Sequence, residues 1–306
     1  MSQEKGSAVN RRHSMLYEAN ARILLRELAD EVGHAATFAD VPEAWMERLA
    51  SQGFEWLWLL GVWQTGEAGR RLAQSLEWLW AECKERVPGF TTDNVFSSPF
   101  AVKQYMVHRD FGGAEALATL RRRLARHGVR LMLDFVPNHM ALDHAWAAEA
   151  PERFVAGSED LLKHQPSNYV RLPSGILAHG RDPNFPGWAD TLQLNYSRRA
   201  TREAMIAELE GVAAQCDGVR CDMAMLVLKE VFGRTWPQEP WEGEDEFWPS
   251  AIEAVRRRNP DFVFAAEAYW GLESRLIEQG FDYAYDKEFY DELVAGNAGA
   301  IRHRLA

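Results

Sequence analysis

Cysteine is scarce. The chain of 306 residues holds three, Cys83, Cys216 and Cys221. An odd number without metal-ligand spacing excludes a disulfide framework and a zinc site, and points to a reducing compartment. Long apolar runs are missing too. The longest near-apolar stretch, residues 54–63, is too short to span a bilayer, and the polar start MSQEKGSAVNRRHS has no apolar segment behind it. The sequence therefore reads as a cytoplasmic protein. Positive charge is in deficit, with 34 Lys and Arg against 45 Asp and Glu and a formal net charge of −11. That surplus repels phosphate backbones and anionic membrane surfaces, which excludes nucleic acid and membrane as partners. Internal repeats and low-complexity tracts are absent.

What is present suits a packed α/β protein. Apolar residues make up 47% and charged residues 26%, enough to bury a sizeable core, and the length accommodates one large barrel as readily as two domains. Twelve Trp, eight Tyr and fifteen Phe supply flat, amphipathic faces that pack cores and suit sugar rings. Apolar spacing predicts helices over 16–32 and over 41–52, the second behind Asp40 as N-cap with Pro42 at its first position. Residues 54–63 (FEWLWLLGVW) read as a strand buried on both faces. Its Trp56, Trp58 and Trp63, with Trp78 and Trp80 on a following helix, are assigned to packing. A weaker second strand is expected at 95–100, then a helix at 114–127 whose Arg121-Arg122-Arg123 run faces solvent, and a third strand at 129–136.

From 137 to 196 periodicity disappears while Pro, Gly, Asn and His become frequent, a stretch too long for an ordinary connection. Alternation resumes with a helix at 199–216, a strand at 218–222, a helix at 247–258 and a strand at 262–267. A helix at 272–279, a strand at 281–285 and a last helix from Lys287 follow. Strands alternating with helices of this length imply βαβ units and a parallel sheet.

Three strands end alike, in an apolar run followed by a carboxylate: Asp134 in LMLDFVPNH, Asp222 in GVRCD and Glu267 in VFAAEAYW. The C-terminal strand ends of a parallel barrel share the face on which active sites are built, so the three should converge. Any one alone reads as a loop cap or an Arg partner; three on consecutive strands read as a site. Two carboxylates on neighbouring strands can cleave a glycoside when one stays ionised as nucleophile and the other, raised in pKa, acts as acid and then base. Arg220, two residues before Asp222, points to the same face and can hold Asp222 ionised. Glu267 lies among Ala, Val and Phe with Trp270 beyond, an apolar setting that raises a carboxyl pKa. Asp222 is thus the expected nucleophile and Glu267 the expected acid/base.

The ordered set resembles the α-amylase superfamily of glycoside hydrolases. DFVPNH (134–139), GVRCD (218–222) and AAEAYW (265–270) are similar to the family's D-x-V-x-N-H, its G-x-R-x-D and the strand carrying its acid/base Glu. Weaker matches are GFEWLWLLGVW, FGGAEAL, LQLNYSRRATREAM and GFDYAYDKEFYDEL, and the resemblance covers residues 15–306. It implies a TIM-type (β/α)8 barrel, truncated after about strand six. Residues 1–14 would be a disordered leader, 15–136 the first part of the barrel, 137–196 an inserted subdomain B after strand three, and 197–306 the barrel continued; strands seven and eight and a C-terminal β-domain would be absent. It further implies that Asp222 attacks the anomeric carbon, Glu267 protonates the leaving oxygen and Arg220 positions Asp222. His139 would hydrogen-bond the sugar, Asp134 would brace the site, and Asn138 matches a position that serves structure or calcium. The activity implied is a retaining hydrolase or transglycosylase acting on an α-glucan or maltooligosaccharide, with no cofactor required for the chemistry.

Three departures stand out. Met225 and Leu226 occupy the places where the family often has a Lys-His pair, and neither offers a hard cation an oxygen ligand. The family's sugar-stacking Tyr on the second strand corresponds to Phe100, with Tyr105 nearby; Trp146, Trp188 and Trp270 are further stacking candidates. No N-H-D-like motif, which in the family carries another catalytic Asp on strand seven, follows Glu267. That departure keeps open an inactive carbohydrate-binding relic. A Mg²⁺ site for proton abstraction built on the three carboxylates is a remoter alternative, since it lacks a Lys base and Arg220 would compete with the cation.

Overall fold

The computed structural model describes residues 14–305 apart from Pro88; the leader expected at 1–14 falls, but for Ser14, outside the described residues. Six strands form one parallel, curled sheet in chain order: β1 (Met15–Asn20), β2 (Phe54–Leu60), β3 (Arg130–Phe135), β4 (Gly218–Cys221), β5 (Val263–Ala266) and β6 (Tyr283–Ala284). This is the half-barrel expected of a (β/α)8 fold read as far as strand six. Helices Ala21–Val32, Gly113–Arg126, Arg199–Ala213 and Phe247–Arg256 are among those that connect the strands and cover the outer face.

The start of the sheet differs from the sequence reading. Met15–Asn20, expected as the first turns of a helix over 16–32, is an edge strand paired with β2. The helix begins at Ala21, where the Asn20 side chain accepts from the Arg22 and Ile23 amides. Met15, Leu16 and Tyr17 all stay exposed, Met15 at 48%, so the strand carries no alternating apolar signal. Residues 54–63 thus begin the second barrel strand, not the first. The strand expected at 95–100 is not formed; the chain there leads into Val102–Val107, which pairs antiparallel with Trp63–Thr65 beside the barrel. Asp40 is not the N-cap of the next helix. It bonds back to Thr37 in a one-turn 3₁₀ segment, and the α-helix starts at Glu43 behind Pro42. Trp78, expected to pack, is exposed, and Arg121 and Arg123 are tied to Asp217 and Glu43 instead of facing solvent freely.

Alternation along the strands sorts the side chains. Leu57, Leu59, Leu131, Leu133, Phe135, Val219, Cys221, Phe264 and Ala266 point outward into the large core beneath the helices. Trp56, Trp58, Met132 and Ala265 point inward and fill the curl. Register stacks the inner face in layers: Trp58 beside Met132, Met132 beside Gly218, Gly218 beside Val263, and above them Asp134 beside Arg220 and Arg220 beside Ala265. Gly218 is dictated by this packing, since a Cβ there would lie 2.9 Å from the Val263 carbonyl oxygen and 3.1 Å from the Trp56 ring. The lower layers are apolar filling; the upper layer is charged.

Between β3 and the helix Arg199–Ala213 runs the long excursion. His139–Ala141 pairs antiparallel with Thr191–Gln193, and Tyr169–Leu172 forms a hairpin with Gly175–Ala178. Among the described residues no helix is long and apolar enough to cross a membrane.

Candidate active site

The charged layer is centred on Arg220, which is 5% exposed. Its Nη1 lies 2.7 Å from Asp222 Oδ1 and 3.6 Å from Asp134 Oδ1, and its Nη2 lies 2.8 Å from Glu267 Oε2. Its Nε donates to the Tyr285 hydroxyl at 3.2 Å. One guanidinium therefore links three strand-end carboxylates. Strand alternation explains the convergence: Asp134, Arg220 and Ala265 are register partners, and Asp222 and Glu267 stand two residues further along their strands on the same face.

Each carboxylate has further partners. Asp134 accepts from Trp58 Nε1 at 3.2 Å and from the Gly61 amide at 3.0 Å. Glu267 accepts from the Met223 amide at 2.7 Å and from the Tyr269 hydroxyl at 2.6 Å. Met223 aims its amide by adopting a left-handed backbone, φ 45°, a conformation that costs about 1 kcal/mol or more in a residue with a Cβ and persists where the surroundings enforce it.

Three buried carboxylates around one cation cannot all ionise cheaply. At 3–4 Å the attraction to Arg220 is worth about 4 kcal/mol at an intermediate dielectric, enough to offset part of the burial cost and not all of it. Burial pushes Asp134 up to about 7 against the pull of Arg220. Burial likewise raises Glu267, opposed by Arg220 and reinforced by the Asp222 charge. Burial works against the charge on Arg220, but Asp222, Asp134 and Glu267 outweigh it and raise its pKa. Glu267 thus holds its proton to higher pH than a free carboxyl does, the direction a general acid requires.

Phe100 turns its ring to the Arg220 guanidinium at 5.3 Å. His139 follows β3 directly; its ring lies 5.1 Å from that of Trp188 and hydrogen-bonds the Phe100 backbone, and burial lowers its pKa to about 4, so it is a neutral imidazole. Phe100 thus borders the charged layer, and His139 with Trp188 is joined to it through the Phe100 backbone. Other sequence candidates stand apart. Tyr105 packs behind β3 against Trp63 and Phe135, and its hydroxyl both donates to the Val136 carbonyl at 3.0 Å and accepts from the Val136 amide at 2.9 Å. Trp146 packs with His144 and Arg153. Trp270 is 43% exposed beside a separate cavity.

Calcium finds no donor set at Asn138. The Asn138 carboxamide oxygen and backbone carbonyl both accept from Gln193 Nε2 at 3.0 Å, and the Asn138 amide nitrogen reaches Gln193 Oε1 at 3.3 Å. Among the described residues no group of three or more His, Cys, Asp or Glu side chains gathers in a metal-holding arrangement. The residues present do not fit the ion. Met225 and Leu226, in the Lys-His positions, are buried in the outer core and line no site.

The model of the alpha-amylase catalytic domain matches residues 95–278, more than half of the chain. The chain belongs to the alpha-amylase family. A curated relative from Burkholderia pseudomallei, alpha-1,4-glucan:maltose-1-phosphate maltosyltransferase, is 26% identical over 293 residues, covering 90% of this chain and 22% of its own length. Among solved structures, an alpha-amylase from Lactobacillus plantarum superposes with a TM-score of 0.63 at 24% identity, over 94% of this chain and 57% of that one. An alpha-amylase from H. orenii gives 0.60 at 15% identity, over 92% and 53%. The chain therefore spans under a quarter of the curated relative and little more than half of these structures. Their likeness bears on the alpha-amylase fold.

Sequence reasoning missed Tyr269, Tyr285, Trp58 and the Met223 amide as members of the cluster. Tyr269 and Tyr285 obey the strand-end rule that found the acids and were readable by it. Trp58 was counted as packing, which it also is, and a left-handed Met has no sequence signal.

Proposed function

We propose that the chain carries the catalytic centre of a retaining hydrolase or transglycosylase acting on α-glucosidic bonds of oligo- or polysaccharides. The observation that carries this reading is the single guanidinium holding Asp222 and Glu267 at 2.7 and 2.8 Å on adjacent strands. Asp222 attacks the anomeric carbon while Glu267 gives its proton to the glycosidic oxygen and the leaving sugar departs. Glu267, now ionised, takes a proton from water or from an acceptor hydroxyl, and that oxygen displaces Asp222 with net retention. Phe100, His139 and Trp188 border the place where the ring would lie, with neutral His139 hydrogen-bonding its hydroxyls. Both reacting groups are side chains, so the chemistry calls on no cofactor. In this reading residues 137–196 are a subdomain inserted between two parts of the barrel, 15–136 and 197–306. The B. pseudomallei relative is named a maltosyltransferase and the solved neighbours alpha-amylases, which supports both transfer and hydrolysis.

The test is release of reducing sugar from maltooligosaccharides. Asp222→Asn and Glu267→Gln should each lower it by on the order of 10⁴-fold, and the first anomer formed should be α. Unchanged activity in Asp222→Asn overturns the assignment. Calorimetric binding of maltotriose without turnover by the unsubstituted chain would identify a carbohydrate-binding relic instead.

A further inference from the structure

Three residues beyond Glu267, Trp270 helps to line a cavity of about 470 Å³ that the catalytic cluster does not use, with Arg181, Pro183, Asn184, Arg234 and Thr235. The cavity brings together the excursion, the segment after β4 and the loop after β5. Its size is that of a small-ligand pocket. Trp270 stands there 43% exposed in a left-handed backbone, φ 64°. An aromatic residue pays for that conformation in strain and would be expected to bury its ring, yet this one presents it to the cavity.

The cavity is also lined by positive charge without negative charge. Arg181 is set by stacking over the Trp236 ring at 4.6 Å and by donating from Nη2 to the Thr235 carbonyl at 3.1 Å. The Arg234 side chain is exposed and makes no hydrogen bond among the described residues. Neither has a carboxylate within ion-pair distance among the described residues, and no Asp or Glu is among the residues that line the cavity with them. The adjacent acid, Asp182, is turned away to accept from the Asn184 and Phe185 amides at 2.6 and 3.0 Å. In a chain of net charge −11, two unneutralised guanidiniums facing one cavity call for an anion.

We propose that this cavity is a subsite for a phosphorylated sugar on the leaving-group side of the scissile bond, the ring stacking on Trp270 and the phosphate held by Arg181 and Arg234. A phosphate dianion offers three terminal oxygens to two guanidinium forks, where a carboxylate is satisfied by one. The side follows from Glu267, which protonates the leaving oxygen and stands three residues before Trp270 on the same loop; in this respect the inference rests on the function proposed above.

The experiment is titration calorimetry of the full chain at fixed ionic strength with glucose 1-phosphate, glucose, inorganic phosphate and glucuronate. Glucose 1-phosphate should bind about tenfold tighter than glucose or more, and tighter than inorganic phosphate or glucuronate. Arg234→Gln, at an exposed position, and Arg181→Gln should each reduce the ratio of glucose to glucose 1-phosphate dissociation constants to about threefold or less, and Trp270→Ala should weaken both sugars. Equal affinities for glucose and glucose 1-phosphate, or an unaltered ratio in Arg234→Gln, overturn the proposal. Glucuronate or inorganic phosphate matching glucose 1-phosphate overturns the phosphorylated-sugar assignment. Asp222-dependent cleavage of maltooligosaccharides without phosphate discrimination sinks this inference alone; discrimination without such cleavage sinks the catalytic reading and leaves the subsite.

Discussion

In the proposed mechanism Glu267 has to be protonated when the bond breaks and ionised when the second step begins, and Tyr269 bears on that balance. The Tyr269 hydroxyl donates to Glu267 Oε1 at 2.6 Å, a bond that favours the ionised carboxylate and so works against burial, which raises the Glu267 pKa. Tyr269→Phe removes the donor without removing the ring. The Glu267 pKa should then rise further, and the alkaline limb of kcat/KM, where the acid loses its proton, should move to higher pH. Measuring that profile with maltotriose decides it; a limb that stays in place or moves down refutes the role. Asp134, Arg220, Asp222 and Glu267 were readable beforehand because strand periodicity fixes where i and i+2 side chains point. The division of environments was not readable. Glu267 looked apolar in sequence, but Arg220, the Met223 amide and Tyr269 all reach it, and those contacts depend on curvature and backbone conformation that no local pattern encodes.

At the scale of elements, the inner face of the sheet decides where the charged layer sits. Trp56 and Trp58 fill the lower curl, and Arg130 lies over the Trp56 ring at 3.9 Å, so the acids can only gather above. Gly218 makes room for Trp56, and Gly218→Ala forces its methyl to within 3.1 Å of that ring and 2.9 Å of a carbonyl oxygen. Overpacking of this kind should cost about 1–3 kcal/mol in urea unfolding, and β4 should shift Arg220 and Asp222 with it, lowering activity beyond the stability loss. A neutral effect on both would mean that the curl is loosely packed. Strands β2 to β5 were legible because both their faces are buried and their apolar runs are continuous. The edge strand β1 was not, because β2 alone flanks it and its Met15, Leu16 and Tyr17 remain exposed. The false strand at 95–100 has the same cause in reverse: Val95 is buried, Phe96 lies against the Arg22 guanidinium and Phe100 turns to Arg220, so its apolar residues are placed without a strand.

Over the whole molecule, protons couple the site to the fold through groups of opposite sign. His139 ordinarily titrates near 6.5 and burial lowers it to about 4. Between those values the unfolded chain binds a proton that the folded chain refuses, so this group destabilises the fold as pH falls, by about 3 kcal/mol when complete. His144, lowered to about 4 by burial, acts in the same direction. Asp134 does the opposite: burial raises it from 3.8 to about 7, so the folded chain keeps a proton that the unfolded chain releases, and stability falls as pH rises through that window. Raised Glu267 adds to the Asp134 direction. His108 and His179, also lowered by burial, join the first set and Glu208, raised by burial, the second, so the profile of the unsubstituted chain sums both and the comparison with a variant isolates His139. His139→Gln removes one term and retains a polar side chain of similar reach. Compared with the unsubstituted chain at each pH by urea unfolding, the variant should gain about 3 kcal/mol in relative stability between pH 7 and pH 4. A difference that is constant across the range would show that His139 takes up its proton as readily in the folded state as in the unfolded one, and would remove its share of the pH dependence.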